Sequence, residues 1–325
     1  MSATAKAVTP AAPSTGPGRE PAGTLPAPPS SQSSPAGPAG PADPTGEAGR
    51  RPRWTPGRFA LLAAALVLAA LWVLPLAWAV ATSLKPESET TRTSLEWIGS
   101  RVTFDAYEKV WASGDLARWM VNSAYISTVT TVLTVTTCAM AAYGFSRTEF
   151  RGRKVLYGLV LAGIMVPPQV LIAPLFAEMV SLGLVDTYWG VILPQVAVPA
   201  MVFILVKFFE GVPRELEEAA YVDGAGRWRV FWTVVVPLSR PVLAAVAIFT
   251  FIQTWNNFLW PFLVTTDPNV MTLPVGLVNV QSTYGARYAQ VMASLVIAGL
   301  PLLLVFAFFQ RQIVRGVAHT GLAGQ

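Results

Sequence analysis

The 325-residue chain is 53% hydrophobic and only 13% charged, with a formal net charge of +5 and a mean hydropathy of +0.49. Soluble domains carry about a quarter charged residues, so this composition cannot clothe a soluble globule and points to a multi-span membrane protein. A single cysteine, Cys138, and a single histidine, His319, exclude a disulfide framework and leave no Cys/His set at metal-ligand spacing.

Residues 1–53 hold 12 of the 27 prolines, no aromatic residue, and only Val8 and Leu25 as larger aliphatics. Such a segment cannot bury enough apolar surface to offset its ordering entropy, so a disordered tail is expected. No compact apolar core follows a short basic start, so it does not read as a secretory signal. A transmembrane domain is expected over 54–316, with a short tail over 317–325.

Six apolar runs long enough to cross the hydrocarbon core follow, at about 59–81, 122–145, 156–178, 188–209, 241–263 and 289–310. Pro167 and Pro168 in the third and Pro194 and Pro199 in the fourth read as kinks within continuous helices. Between the first two runs, Phe104, Tyr107 and Trp111 recur at helical spacing, predicting a short helix lying on the membrane surface. Lys and Arg are unevenly placed. Fifteen, including Arg58, Arg147, Lys154, Lys207, Arg227 and Arg315, flank the runs on one side, against six on the other. By the positive-inside rule both termini and the 210–240 loop are cytoplasmic. The same distribution explains the basic pI without nucleic acid, since no stacking platform accompanies the charges.

The 210–240 loop is the most polar part of the membrane domain. Pro213 starts a helix whose first turns hold Glu215, Glu217 and Glu218, where the helix dipole favours carboxylates. Leu216, Ala219 and Ala220 share a face, which leaves the acidic side free. Asp223-Gly224 breaks the helix. A second helix is expected from about Gly226, with Trp228, Phe231, Trp232 and Val235 as its apolar positions, ended by Pro237 and Pro241.

Within this loop, Glu218-Ala219-Ala220, three residues, Gly224, nine residues, and Val234-x-Val236-Pro237 resemble the EAA motif of ABC importer permeases, with Val in place of Ile and Leu. Asn122-Ser123, Ala141-Ala142-Tyr143, Phe150-Arg151-Gly152-Arg153, Leu182 to Tyr188, Trp255 to Phe258 and Gln310 to Gly316 resemble the carbohydrate-importing subfamily. Within that subfamily the chain resembles the six-span subunit, such as the smaller permease of the maltose importer; residues 318–325 depart from the usual ending.

The resemblance implies an all-α polytopic membrane protein of the type I ABC importer permease fold, with six transmembrane helices and a cytoplasmic EAA coupling-helix loop. It implies a bacterial plasma-membrane subunit that forms half of a sugar pathway, with Glu218, Ala219, Ala220, Asp223, Gly224 and Pro237 as the ATPase-coupling set. Implied partners are a second permease chain, a dimer of ATP-binding subunits carrying ATP and Mg2+, and an extracytoplasmic sugar-binding protein. This chain has no phosphate-binding loop sequence, is not itself an enzyme, and is expected to bind no cofactor and no metal.

Polar residues at membrane depth mark candidate pathway positions: Gln169, Gln195, Gln253, Asn256 and Asn257, with Trp255 as a stacking surface for a sugar ring. The same amides serve equally as interhelical hydrogen bonds. A permease for a non-sugar solute, a secondary transporter and a membrane enzyme are the alternative readings. The second needs an intramembrane carboxylate, and only Glu178 lies near a run; the third needs clustered acidic residues, and here they are dispersed.

Overall fold

A computed structural model describes residues 56–90, 96–112, 115–284 and 287–322. The expected tail over 1–53, His319 as a side chain, and the side chains of the terminal stretch from Arg311 onward lie outside what is described. Ala60 onward forms one compact unit. It is helical, and no strand occurs among the described residues.

The first apolar run is helix α1 (Pro56–Ser83), with no buried side chain along its spanning window, as expected of a helix sheathed by lipid. α2 (Glu87–Thr90) and α3 (Asp105–Ala112) follow. The surface helix is present, but its buried positions are Ala106 and Val110. Phe104 and Trp111 are exposed, and Tyr107 is held through its hydroxyl, 2.7 Å from Ser83 Oγ.

The next helix, α4 (Asp115–Arg147), is the axis of the bundle. Its 33 residues measure about 50 Å, well beyond the roughly 30 Å hydrocarbon core, so both ends project. Ser123, Ser127, Thr130 and Thr134 are buried along it. Small side chains of this kind let neighbouring backbones approach closely inside a membrane.

The third run is α5 (Arg153–Met165), a 3-10 turn at Pro168–Leu171, and α6 (Ile172–Ser181), turned by 98° at the break. The fourth is α7 (Tyr188–Val196) and α8 (Pro199–Glu210), bent by 45°. These are breaks rather than the kinks expected. The residue before a proline is pushed out of the helical region, and Val166 and Val198 are both extended there.

After α8 come α9 (Glu215–Val222), α10 (Arg227–Val230), a π-helical turn over Phe231–Val235, and α11 (Val236–Leu238). The fifth run is α12 (Arg240–Trp255), then an interruption over 256–258, then α13 (Leu259–Val264). The single span expected over 241–263 is therefore broken. α14 (Leu273–Tyr284) and α15 (Tyr288–Leu322) complete the chain.

α4 packs chiefly on α12 and α8, then on α7 and α14. Toward its C-terminal end Ala139, Ala142 and Tyr143 meet Leu205, Phe209, Phe231 and Val235. At the other end Leu116 and Trp119 meet Trp255, Met271 and Leu273. Among the described residues, three helices are long and apolar enough to cross a membrane unbroken, and up to six crossings result by length and composition if each bent pair is one span: α5 with α6, α7 with α8, and Arg227–Leu238 with α12, bent by 80°.

Candidate functional site

The polar loop between α8 and α12 folds from local rules. Helix α9 ends in paired bonds typical of a glycine-terminated helix: Gly224 N–H donates to Tyr221 O (3.0 Å) and Ala225 N–H to Ala220 O (2.9 Å). Gly224 lies at φ +80°, where a Cβ would meet nothing within 4 Å but the backbone itself disfavours one. The chain then re-enters a helix at Arg227. Pro237 does not end this second helix. It has no N–H to give the preceding turn, and the helix widens ahead of it, with Val236 N–H donating to Phe231 O, before stopping at Ser239.

The face that α9 buries is not the one its apolar spacing predicts. Leu216 and Ala219 are exposed, Ala220 is half-buried, and Glu217 is 4% exposed. Its carboxylate Oε1 lies 2.7 Å from Nε of Arg147 at the end of α4, as an ion pair lacking hydrogen-bond alignment. The same guanidinium donates through one terminal nitrogen to Phe209 O (2.5 Å), in the last turn of α8, and to Val212 O (2.6 Å), two residues past its end. One turn earlier on α4, Tyr143 places its hydroxyl 3.2 Å from that of Tyr221 and donates to Arg227 O at 3.5 Å. Burial pushes the Glu217 carboxyl above the usual glutamate range, against the pull of Arg147 and Arg214.

Opposite this anchored side, the loop displays Glu218, Asp223, Leu216 and Val222, the last 88% exposed. Trp228 and Trp232 are also outside, Trp228 at 63%, while Phe231 and Val235 alone of the four expected apolar positions enter the core. The coupling-set residues Glu218, Ala219, Ala220, Asp223 and Gly224 are brought onto one loop. Pro237 sits half-buried beyond the second helix turn.

The candidate pathway residues lie at or beside the helix interruptions. Gln169 is in the 3-10 turn, Gln195 in the last turn of α7, Gln253 in the last turns of α12, and Asn256 and Asn257 in the gap before α13. Two are joined directly: Asn257 Nδ2 donates to Gln195 Oε1 at 2.7 Å. Asn256 instead donates to its own helix at Ile252 O, and Gln169 and Gln253 are exposed. Trp255 is 4% exposed and stacks on Phe251 with ring centroids 5.8 Å apart, so its ring is core and presents no sugar-binding face.

At the far end of α4, residues 265–273 are stapled down. Trp119 Nε1 donates to Pro268 O (3.1 Å), Asn122 Nδ2 to Asn269 O and Met271 O (both 2.9 Å), and Leu273 N–H to Ser123 Oγ (2.8 Å). Tyr188 completes the set by donating to Asn122 Oδ1 at 2.9 Å. Asp186, at φ +57°, accepts from Thr266 Oγ1 (2.7 Å) and Asp267 N (2.8 Å), and these donors hold its carboxyl below the usual range.

This architecture has known counterparts. Residues 134–319, more than half of the chain, match the family described as binding-protein-dependent transport system inner membrane component. The chain belongs to this family. As a member of that family, it is 36% identical over 276 residues to the arabinooligosaccharides transport system permease protein AraQ of Bacillus subtilis, covering 84% of this chain and 98% of that one. It is 35% identical over 270 residues to the diacetylchitobiose uptake system permease protein NgcG of Streptomyces coelicolor, covering 81% of this chain and 88% of that one. Its fold is similar to a chain of a bacterial ABC transporter involved in the import of the acidic polysaccharide alginate, with TM-score 0.71, 21% identity, and coverage of 80% and 99%. The fold of this inner membrane component is therefore that of an ABC importer permease.

Sequence reasoning did not assign roles to Arg147, Glu217 or Asp186. The signals for the first were its place among the basic flanks of the second run and its position between the Ala141-Ala142-Tyr143 and Phe150-Arg151-Gly152-Arg153 likenesses. For the second the signal was an acidic residue immediately before the motif glutamate.

Proposed function

We propose that this chain is the permease subunit of an ATP-driven importer of a sugar or oligosaccharide, spanning the bacterial plasma membrane six times with both termini in the cytosol. It forms half of the pathway beside a second permease chain and receives its solute from an extracytoplasmic binding protein; the family's description as a binding-protein-dependent transport system supports the last of these. Relatives named for arabinooligosaccharides and diacetylchitobiose support the substrate class. The basic flanks support the orientation.

One observation carries the coupling role: the 210–240 loop is anchored on one side through Glu217 and presents Glu218, Asp223, Leu216, Val222 and Trp228 on the other. An exposed aromatic and apolar set beside carboxylates is suited to a protein partner. That partner is a separate ATP-hydrolysing subunit, with ATP and Mg2+ bound there. Ala219, Ala220 and Gly224 shape the docking turn, and Pro237 fixes the widened helix behind it. Gln169, Gln195, Gln253, Asn256 and Asn257 line the pathway at the helix interruptions, where broken helices expose polar backbone to a cavity. Trp255 supports them from the core.

The test is Glu218→Lys in the co-expressed complex. It should insert normally in the membrane, lose the co-purifying ATPase, and lose uptake. Retention of wild-type ATPase and uptake would refute the docking assignment.

A further inference from the structure

The docking loop needs a device that makes it move with the bundle, and the structure holds a candidate. Arg147 is the last residue of α4 and touches three elements at once: α4 itself, the end of α8 and the residues just past it through two carbonyls, and α9 through Glu217. Its side chain is 5% exposed and that of Glu217 6%. Tyr143, at i−4 on the same helix face, adds a second attachment to Tyr221 and to the start of α10. Nothing else on α4's last two turns reaches the loop through a hydrogen bond or ion pair among the described residues.

We propose that Arg147 is a positioning residue, whose contacts with Glu217 and the end of α8 make the 210–240 loop and helix α4 one mechanical body during transport. The inference rests on the docking role proposed above, but the linkage itself belongs to this chain alone. One terminal nitrogen of the guanidinium donates to two carbonyls while Nε faces the Glu217 carboxylate as an ion pair, and the planar group holds these contacts at fixed relative positions. Lysine in its place offers one charge centre and cannot hold all three.

The experiment uses the full-length chain, alone and with its ATPase, in a Cys138→Ser background. Spin labels are placed at Glu215→Cys on α9, outside the displayed docking set, and Val121→Cys near the other end of α4, both exposed positions. In the otherwise wild-type chain, the distance distribution between labels should be narrow and unchanged between the nucleotide-free complex and the complex trapped with ATP, Mg2+ and vanadate. Glu217→Gln should roughly double its width, as expected when a local opening becomes populated, and make it nucleotide-dependent. Arg147→Lys should do the same to a smaller degree, and Glu217→Asp should stay near wild type.

A distance that shifts with nucleotide in the wild-type background overturns the proposal, as does an unchanged distribution in Glu217→Gln. If Glu217→Gln does not accumulate, Arg147→Lys decides: broadening supports the linkage and a wild-type width overturns it. Failure of the unsubstituted chain to hold any ATPase would sink the docking reading instead, and the width comparison on the chain alone would still decide the linkage.

Discussion

Substituting Gly224 separates backbone strain from contact at the centre of the 210–240 loop. Its φ of +80° lies in the left-handed region, and a Cβ there would meet no atom within 4 Å. The cost of Gly224→Ala is therefore conformational, about 1–2 kcal/mol. That lowers the population of the terminated helix roughly 5–30-fold against unwound alternatives. The two bonds at stake are Gly224 N–H to Tyr221 O and Ala225 N–H to Ala220 O. Asparagine tolerates this region better than alanine, and a β-branched residue tolerates it worst. The expected order of damage is Asn, then Ala, then Val. Amide hydrogen exchange of Tyr221 to Gly226 in the isolated chain should follow that order, and ATPase co-purification should follow it too. Equal exchange in Ala and Val variants would refute the backbone argument. Equal and complete loss of ATPase binding in all three, with exchange still ranked, would show that the partner packs against this position.

Further outcomes are expected elsewhere. Gly190→Ala would place a Cβ 2.1 Å from the Leu184 carbonyl oxygen, beside bonds from Gly190 N–H to Thr187 Oγ1 and from Trp260 Nε1 to Gly190 O. The melting midpoint of the purified chain should fall by the equivalent of about 3 kcal/mol, the upper range for overpacking. Asp186→Ala should loosen residues 265–272, visible as faster proteolysis there, with Asp186→Asn intermediate because Asn keeps the left-handed backbone. The lowered Asp186 carboxyl contributes stability that is present above 3.8 and lost as pH falls through its depressed value. Glu217 has the opposite sign: between 4.5 and its raised value the native chain holds the extra proton, so its contribution falls as pH rises through that window. A thermal-melt series against pH should lose that slope in Glu217→Gln.

Hydropathy and charge were enough to find the apolar runs and to place the polar loop between the fourth and fifth. They could not show the interruptions, for different reasons. Pro167 and Pro199 did mark breaks, but whether a proline bends or divides a helix depends on what satisfies the freed carbonyls, which is a tertiary matter. At Asn256-Asn257 the flanking apolar residues continue unbroken in sequence, so composition read one span where α12 and α13 are two helices. The loop's two helices and the Gly224 turn were legible because caps and glycine act locally. The buried face of α9 was not, because Glu217 is drawn in by Arg147 from 70 positions away, and spacing within the helix favoured Leu216 instead. Trp255 illustrates the same limit: an aromatic residue beside amides suits a sugar site or a core equally, and only its stacking on Phe251 decides.

The staple at the beginning of α4 also sets an order of assembly. Asn122 and Ser123 are buried, and their partners at Asn269, Met271 and Leu273 come about 150 positions later in the chain. At a synthesis rate of about 5–20 residues per second, α4 waits roughly 8–30 s before those groups exist. Through that interval the amide and hydroxyl need water or other partners, since an unsatisfied polar group in hydrocarbon costs several kcal/mol. The helix that forms the axis of the finished bundle is thus among the last to be locked at its N-terminal end, and a chain ending before residue 269 would leave that end open.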